Sequence, residues 1–375
     1  MKVTANFDGG NIEVIKAETP ENIELAIRRD TKSTFMQWFY FRLEGAQGFP
    51  CKISIVNASE VSYPEGWTGY RAVASYDLKT WFRVPTSFDG KKLHITHMPE
   101  YNSVYYAYFA PYSHQRHLEM IHKAQTSKQM VLENLGQTVE GRNIDLLVAG
   151  EIADSKPKIW IIGRQHPGEP MAEWFMEGLI ERLSDTNDPV SRTLLDKAIF
   201  YLIPNINPDG SIHGNLRTNA AGHNLNRAWQ NPDPMETPEV YYVRQRMIDT
   251  GVDMCLDIHG DEALPYCFAT SNAGIPSFSK RLSMLEKEFT DRWKDISPDF
   301  QTDIGYEIDK PGKAKMDICS KWVGENFDCL SLTIEMPFKD NNNLPDSTYG
   351  WSPARSKCFG ASVLNVILQM IDKLV

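Results

Sequence analysis

The distribution of apolar residues changes about one third of the way along the 375-residue chain. In the first part, apolar and aromatic residues form short, partly alternating stretches at 33–45, 51–59, 81–97 and 101–112. The third stretch contains Asp89-Gly90, a strong hairpin signal. Short strands with regular turn residues predict an antiparallel β-sandwich domain over residues 1–112. We expect most of its aromatic side chains to lie in the core, with a binding surface as the alternative.

The second part contains apolar runs without a polar face, at 144–150, 158–164, 198–206, 252–260 and 329–337. Residues 172–183 and 352–375 have helical spacing. Residues 113–136 are expected to form a helix that ends at Gly136. Continuous apolar strands alternating with helices are typical of a sheet that is buried on both faces. The pattern therefore predicts an α/β domain over residues 113–375.

Composition and charge narrow the function classes. The chain is 42% hydrophobic and 23% charged, with a formal net charge of −10. This balance argues against nucleic acid or an anionic membrane as a partner. The first sixteen residues lack the apolar segment of a signal peptide, and none of the six cysteines forms a CxxC pair. We expect a cytoplasmic protein with reduced thiols.

Polar residues follow four of the predicted strands. His166 and Glu169 come after the run at 158–164, and Asp209 follows the run at 198–206. His259 and Glu335 lie at the ends of the next two runs. Sites in open α/β sheets lie beyond the carboxyl ends of the strands. We therefore expect these side chains to meet at one edge of the sheet.

The pattern H-x-x-E occurs three times, starting at His97, His166 and His259. The first is expected to be surface structure of the β domain. A hydrolytic zinc commonly takes two histidines and a carboxylate, which leaves one position for water. His166, Glu169 and His259 would supply that set. The alternatives are a capped turn before the helix at 172–183, a structural histidine at the strand end, and Glu262 as the ligand of a second metal.

The stretch 207–229 is polar and contains Arg217 and Arg227. The guanidinium group of arginine is planar and permanently charged, and it can form two parallel hydrogen bonds to a carboxylate. This stretch is a candidate for binding an anionic group, with a solvated surface loop as the alternative. His213 and His223 are expected to be loop residues rather than ligands.

Seven motifs then point to a family, in the order LGQTVEGR, GRQHPGEPMAEW, NPDG, GNLR, LNRAW, DIHG and TIEMP. Together they resemble the M14 metallocarboxypeptidases, specifically the cytosolic carboxypeptidase subfamily. YFAPYSH at 108–114 resembles the segment that leads into the catalytic domain of that subfamily. The resemblance covers most of the chain. It implies an N-terminal antiparallel β-sandwich followed by a zinc carboxypeptidase-like α/β domain with a mixed central sheet.

The resemblance also implies roles for individual residues. One zinc ion per chain would be held by His166, Glu169 and His259. Glu335 would be the general base and later the proton donor, and Arg217 would stabilise the oxyanion. Asn226 and Arg227 would hold the terminal carboxylate of a peptide or protein substrate.

The prediction of substrate preference rests on a weaker resemblance to the subfamily. The stretch KPGKAK resembles the subfamily loop that places a basic residue in the specificity pocket, and Lys315 is the matching residue. The subfamily usually has arginine there. A cation at this position would favour C-terminal Glu or Asp, with a basic surface loop as the alternative. Tyr306 is a candidate for the tyrosine that closes over substrate, and Asp257 for a residue that orients His259.

Two other functions are compatible with parts of this pattern. A zinc amidohydrolase acting on N-acyl amino acids could use the same ligands with an arginine for the carboxylate. A non-catalytic binding protein would be expected to lack part of the constellation, whereas all of its residues are present. The sequence gives no prediction of oligomeric state.

Overall fold

The computed structural model describes residues 1–374. The first domain is built of ten strands: β1 (Lys2–Thr4), β2 (Glu13–Thr19), β3 (Asn22–Ala26), β4 (Tyr40–Glu44), β5 (Cys51–Ile55), β6 (Val73–Ser75), β7 (Phe82–Arg83), β8 (Thr86–Phe88), β9 (Leu93–His97) and β10 (Ser103–Ala107). They form two five-stranded sheets, in the orders β1-β4-β10-β6-β7 and β2-β3-β5-β9-β8. The predicted sandwich is therefore present.

The sandwich departs from the predicted pattern in detail. The pair β3 and β5 is parallel, while the other strand pairs are antiparallel. The apolar stretch 33–45 forms a strand only from Tyr40 to Glu44. Trp38 and Phe39, which precede it, are buried without regular structure. Their aromatic character reflects core packing rather than strand pairing.

The second domain contains helices and strands in the order α1 (His114–Thr126), β11 (Met130–Gln137), β12 (Asn143–Ala149), β13 (Lys158–Gly163), α2 (Met171–Leu183), α3 (Pro189–Lys197), β14 (Ile199–Ile203), α4 (Pro208–His213), α5 (Pro238–Thr250), β15 (Met254–Asp261), β16 (Phe268–Thr270), α6 (Lys280–Ile296), α7 (Cys319–Phe327), β17 (Leu330–Pro337) and α8 (Pro353–Met370). The sheet order is β11-β12-β14-β13-β15-β17-β16. Strands β14, β13, β15 and β17 are parallel, and the outer pairs are antiparallel. The predicted mixed sheet is confirmed.

Both faces of this sheet are covered, as the continuous apolar runs predict. Ile159 and Ile161 of β13 belong to the apolar cluster that includes α2, α6 and α8. Trp160 and Ile162 of the same strand belong to the cluster that includes α5 and α7. Alternate residues of a strand point to opposite faces of the sheet. Since helices cover both faces, both sets of residues in β13 are apolar.

The predicted helix over 113–136 is wrong in its second half. The helix α1 ends at Thr126, and Met130–Gln137 forms the edge strand β11. Lys128 between them has a left-handed backbone, with φ of 63°, which breaks the helix. Since β11 pairs on one side only, its mixed polar and apolar sequence resembles a helix, and pairing with β12 decides its conformation.

The two domains share one core. The first apolar cluster contains residues of both sheets of the sandwich together with α2, α6 and α8. Tyr108 of the sandwich stacks on Phe338, which follows β17, with ring centroids 4.4 Å apart. Ser113 caps α1, which packs on the central sheet. We propose that the domain boundary lies at residues 112–113, where this cap begins the second domain.

Candidate metal centre and active site

The turn after β13 brings His166 and Glu169 to the carboxyl edge of the sheet. Arg164 has a left-handed backbone with φ of 59°, which is uncommon for a residue with a side chain. Its buried guanidinium holds this conformation by donating to the carboxylate of Glu173 at 2.6 Å and to the Pro167 carbonyl at 3.1 Å. The chain therefore reverses direction immediately after the strand, and His166 faces the edge of the sheet.

Gly168 explains the glycine of the H-P-G-E turn. Its N–H donates to the Leu216 carbonyl at 2.8 Å. A Cβ atom at residue 168 would lie 2.8 Å from that same carbonyl oxygen. Only glycine therefore lets this turn pack directly on the loop that contains Arg217.

His259 and Glu335 lie on the neighbouring strands β15 and β17, where they are paired in register. Both strands extend beyond them, to Asp261 and Pro337. The prediction that these residues end their strands is therefore wrong by about two residues. Their side chains still reach the carboxyl edge of the sheet, because both residues line the same cavity.

The three predicted metal ligands come together in a buried cluster. Nδ1 of His166 lies 2.7 Å from Oε1 of Glu169. Nδ1 of His259 lies 2.9 Å from Oε2 of Glu169 and 3.0 Å from Nδ1 of His166. Among residues 1–374, these side chains form the one group of His, Cys, Asp and Glu residues that is compact enough for a metal ion. Glu262 is outside this group.

Hydrogen bonds on the far side of each imidazole orient the ligand atoms. Nε2 of His166 donates to Oδ1 of Asn224 at 3.1 Å, since that oxygen also accepts the N–H of Asn226 at 3.0 Å. Nε2 of His259 lies 2.8 Å from Oδ2 of Asp257. Each ring can therefore carry its proton on Nε2, which leaves a lone pair on Nδ1.

Asp257 is itself held in a buried network. Nε2 of Gln165 donates to both of its carboxylate oxygens, at 2.7 and 2.8 Å. Oε1 of Gln165 in turn accepts the indole N–H of Trp229 at 2.8 Å. The chain Trp229–Gln165–Asp257–His259 fixes the orientation of this imidazole, which is the role expected for Asp257.

The electrostatics of the cluster suit a cation. Burial opposes charge on His259, yet the carboxylates of Asp257 and Glu169 raise its pKa well above the usual value. Burial and the nearby guanidinium of Arg217 lower the pKa of His166 to about 4, so this imidazole stays neutral near pH 7. Burial opposes ionisation of Glu169, but the two histidines hold its pKa well below the usual value. The negative charges of Asp257 and Glu169, which raise the pKa of His259, also favour a metal cation, and the neutral imidazole of His166 is free to bind one, so the residues fit zinc.

Glu335 is buried beside the cluster, and within residues 1–374 its Oε2 has no hydrogen-bond partner. Burial raises its pKa well above the usual range; His259 opposes this shift, and the carboxylates of Glu169, Asp261 and Glu262 add to it. A buried carboxyl group whose pKa is strongly shifted by its surroundings is a candidate for acid–base catalysis. Glu335 is thus suited to acid–base work.

The predicted substrate-binding residues line one cavity of about 1180 Å³ with the metal cluster. Nη1 of Arg217 lies 3.7 Å from Oε1 of Glu169, and its guanidinium lies 5.2 Å from the ring centroid of Tyr63. Oδ1 of Asn226 accepts the N–H of Cys319 at 2.8 Å. Arg227 and Lys315 are exposed at the cavity wall. The hydroxyl of Tyr306, on the same wall, donates to Asp261.

Other histidines lie apart from this site. His213 contacts Glu140 at 2.6 Å, and His223 contacts Glu236 at 3.4 Å, both at the surface. Nδ1 of His97 contacts the hydroxyl of Tyr106 within the β domain. These three residues therefore lie outside the metal cluster, as predicted, but His213 ends the helix α4 instead of lying in a loop.

Sequence reasoning missed the contribution of the β domain to the cavity. Tyr63 and Glu65 line its wall, and a Cβ atom at Gly66 would lie 3.1 Å from Cβ of Glu262. The sequence YPEGW carries a turn signal but no sign that it faces a site in another domain. Gln165 and Asn224 were also missed, since neither belongs to a spacing that indicates a ligand.

Two family models match the chain and together cover most of it. The model described as zinc carboxypeptidase matches residues 118–357, and the one described as cytosolic carboxypeptidase N-terminal domain matches residues 3–109. The chain belongs to the M14 zinc carboxypeptidase family. It is a metallopeptidase, and the resemblance inferred from the seven motifs is confirmed.

Solved structures agree with this assignment. A metallo-carboxypeptidase from Burkholderia cenocepacia is 49% identical, with a TM-score of 0.97 and full coverage of both chains. A metallo-carboxypeptidase from Pseudomonas aeruginosa, in complex with (2-guanidinoethylmercapto)succinic acid, is 46% identical, with the same TM-score and full coverage of both chains. This M14 carboxypeptidase therefore has the fold of those proteins over its whole length.

A eukaryotic relative is more distant. Cytosolic carboxypeptidase 6 of Caenorhabditis elegans is 25% identical over 92% of this zinc carboxypeptidase and 80% of the worm protein.

In residues 1–374, no helix combines the length and apolar character needed to cross a membrane.

Proposed function

We propose that this zinc carboxypeptidase removes acidic residues, Glu or Asp, from the C-termini of peptides or proteins. One zinc ion per chain would be held by His166, Glu169 and His259. The observation that carries the proposal is the convergence of these three buried side chains with the unpartnered carboxyl of Glu335 in one cavity. When bound, zinc supplies an acidified water molecule and polarises the scissile carbonyl.

The chain's own residues supply the remaining steps. Glu335 accepts a proton from the attacking water and passes it to the leaving amine, so that the proton count balances over the hydrolysis. Arg217 faces the same part of the cavity and stabilises the negative charge that develops on the carbonyl oxygen. Asn226 and Arg227 bind the terminal carboxylate, for which a guanidinium fork is well suited.

The cavity volume favours a peptide over an N-acyl amino acid. About 1180 Å³ exceeds the range of roughly 300–1,000 Å³ that is usual for small-molecule pockets. The cavity extends from the metal cluster to α6 and to the loop around Tyr306. Several residues of a chain would fit along it.

The acidic preference depends on Lys315. Lys321 also lines the cavity, but its ammonium lies 3.2 Å from the carboxylate of Asp309. The ammonium of Lys315 pairs with no carboxylate in the part of the chain that the structure describes. Arg227 also lines the cavity without a carboxylate partner among the described residues, but it is assigned above to the terminal carboxylate, which leaves Lys315 as the proposed partner of an acidic substrate side chain.

The mechanism is tested with zinc-loaded Glu335→Gln. We expect about one zinc per chain, as in the wild type, and loss of kcat by about a thousandfold or more, because the amide cannot carry the proton. Glu65→Gln changes an exposed glutamate of the same cavity and serves as the control, with kcat within about twofold. Full activity in Glu335→Gln would refute the assignment.

Substrate class is tested with peptides that differ only in their last residue. We expect kcat/KM for Glu and Asp to exceed that for Leu by about tenfold or more. The compound in complex with the Pseudomonas aeruginosa protein carries two carboxylates and a guanidine, so Arg and Lys belong in the panel. Equal rates for all side chains would remove the acidic preference, and faster hydrolysis of an N-acyl amino acid would favour an amidohydrolase.

We also propose a cytoplasmic location. All six cysteines are free thiols, and five of them are buried. A protein with this many unpaired thiols suits a reducing compartment. Fractionation followed by immunodetection tests the location.

A further inference from the structure

The loop that contains Arg217 is held by a carboxylate from the other domain. Asp30 lies in the sandwich domain, before β4, and is 4% exposed. Its Oδ1 accepts the N–H of Leu216 at 2.6 Å, and its Oδ2 accepts those of Arg217 and Thr218 at 2.7 and 3.0 Å. The hydroxyl of Thr218 adds a fourth bond at 3.1 Å. One buried carboxyl group therefore accepts hydrogen bonds from three consecutive backbone N–H groups centred on Arg217.

Neighbouring residues of the sandwich domain form further hydrogen bonds to the same loop. The N–H of Thr31 donates to Oδ1 of Asn215 at 3.0 Å, and the amide of Asn11 donates to the Gly214 carbonyl at 2.8 Å. On the opposite side, the turn at Gly168 holds the Leu216 carbonyl. The backbone of this loop is thus fixed from both domains, between the metal-ligand turn and the sandwich.

The side chain of Arg217 has few strong contacts of its own. Its closest carboxylate oxygen, Oε1 of Glu169, lies 3.7 Å away, which is beyond a good hydrogen bond. The ring of Tyr63, again from the sandwich, lies 5.2 Å from its guanidinium, within range of a cation–π contact. A long side chain with weak contacts depends on its backbone for its position.

We propose that Asp30 is a positioning residue for catalysis, which aims the guanidinium of Arg217 at the developing oxyanion. The sandwich domain is then part of the active site rather than an accessory. This inference rests on the role proposed above for Arg217. A loosened loop would leave substrate binding largely intact and would weaken an interaction that matters in the transition state.

The first test is Asp30→Asn in the full-length, zinc-loaded protein. In this variant the side-chain NH2 group would face backbone N–H groups of residues 216–218, which are also donors, so the loop must move. We expect kcat per zinc-loaded molecule to fall about 10- to 100-fold, with KM within about threefold and zinc content unchanged.

A matched control comes from the same domain. Asp89 accepts the N–H groups of Lys91 and Lys92 at 2.8 and 2.6 Å, in a hairpin outside the cavity. Asp89→Asn removes the same kind of carboxylate from a remote turn, and kcat should stay within about twofold. An equal loss of kcat in both variants would mean a general effect of damaging the sandwich and would overturn the proposal.

The deciding measurement is a double-mutant cycle with Arg217→Ala. If Asp30 acts through Arg217, the double variant should have the kcat of Arg217→Ala within about twofold. Additive losses would overturn the proposal, as would a normal kcat in Asp30→Asn beside an impaired Arg217→Ala. If Arg217→Ala keeps full kcat, the role proposed for Arg217 fails, and this inference fails with it.

A milder variant covers the case in which Asp30→Asn does not fold. Thr218→Val removes only the hydroxyl that donates to Asp30 and keeps the shape of the side chain. We expect kcat to fall about two- to fivefold, with no change in the Arg217→Ala background. An unchanged kcat in Thr218→Val would then count against the proposal.

Discussion

The two sides of the cavity are built differently. On the metal side, His166, Glu169 and His259 are buried, and the imidazoles bond on their far sides to Asn224 and Asp257. Another part of the wall is a loop at 301–318 without helix or strand, where Tyr306, Ile308 and Lys315 are exposed. Rigid support therefore belongs to the bond-breaking groups, while the groups proposed to select the substrate lie on a segment that tolerates change.

The largest effect is expected from removing a proposed metal ligand. His259→Ala removes one proposed ligand and leaves Asp257 and Glu169 buried without their imidazole partner. We expect zinc to be lost at micromolar free metal and activity to fall by about four orders of magnitude or more. Metal analysis of the dialysed protein alongside its kcat checks this, with His223→Ala as the surface control. A His259→Ala protein that keeps one zinc would mean that the ligand set is wrong.

The next prediction concerns the buried charges beneath the metal-ligand turn. His117 lies between Glu173 at 2.7 Å and Asp145 at 3.3 Å, and Glu173 also binds Arg164, which shapes that turn. Burial lowers the pKa of His117, but the hydrogen bonds that its ring donates to Asp145 and Glu173 outweigh burial and raise the pKa to about 9. A raised pKa in the folded state stabilises the fold below pH 6.5, and this stabilisation is lost as the pH rises through 9.

We therefore expect His117→Gln to lower the free energy of unfolding more at pH 6 than at pH 9.5. The difference should be on the order of 3 kcal/mol, since each pKa unit corresponds to about 1.4 kcal/mol. Urea unfolding of both proteins at the two pH values measures it. A gap that does not change with pH would show that His117 is not charged in the folded protein.

A smaller effect is expected from Gln165, which supports Asp257 from behind. Gln165→Leu removes both hydrogen bonds to that carboxylate but leaves every proposed ligand in place. We expect zinc affinity to fall about 10- to 100-fold, as is common when the supporting partners of a ligand are lost. Competition with a chelator measures this. Unchanged affinity would indicate that packing alone orients His259.

The smallest effect tests the exposed wall. Lys315→Ala should lower kcat/KM about tenfold for peptides ending in Glu and leave those ending in Leu unchanged. Lys313→Ala, two residues earlier on the same loop, is the matched control. Equal losses for both peptide classes would assign Lys315 to general binding rather than to selection.

The sequence predicted the metal side better than the rest. Continuous apolar runs indicate buried strands, and polar residues at their ends are expected to meet at one edge, so His166, Glu169, His259 and Glu335 could be found from the pattern. The same expectation is wrong for Asp209, which does not line the cavity and instead pairs with Arg142 at 2.7 Å. The seven motifs strengthened this prediction because their order is much more specific than any single motif.

Other features depend on contacts that no local pattern contains. The strand β11 is decided by pairing with β12, and its sequence is compatible with a helix. Asp30 and Tyr63 reach the site only because the sandwich docks on the second domain, and neither has a spacing that relates it to Arg217. Lys315 could be placed on the cavity wall by resemblance, but its preference for a substrate could not.

The register of β15 and β17 has a consequence for how activity appears during refolding. His259 and Glu335 are direct neighbours across these parallel strands, so a slip of one residue would turn Glu335 to the opposite face of the sheet. A molecule that closes the sheet in the wrong register would be compact and inactive. After dilution from denaturant, the recovered hydrolytic activity would thus be proportional to the fraction of chains in which these two strands are correctly aligned. The rate at which activity recovers would report the rate of sheet assembly.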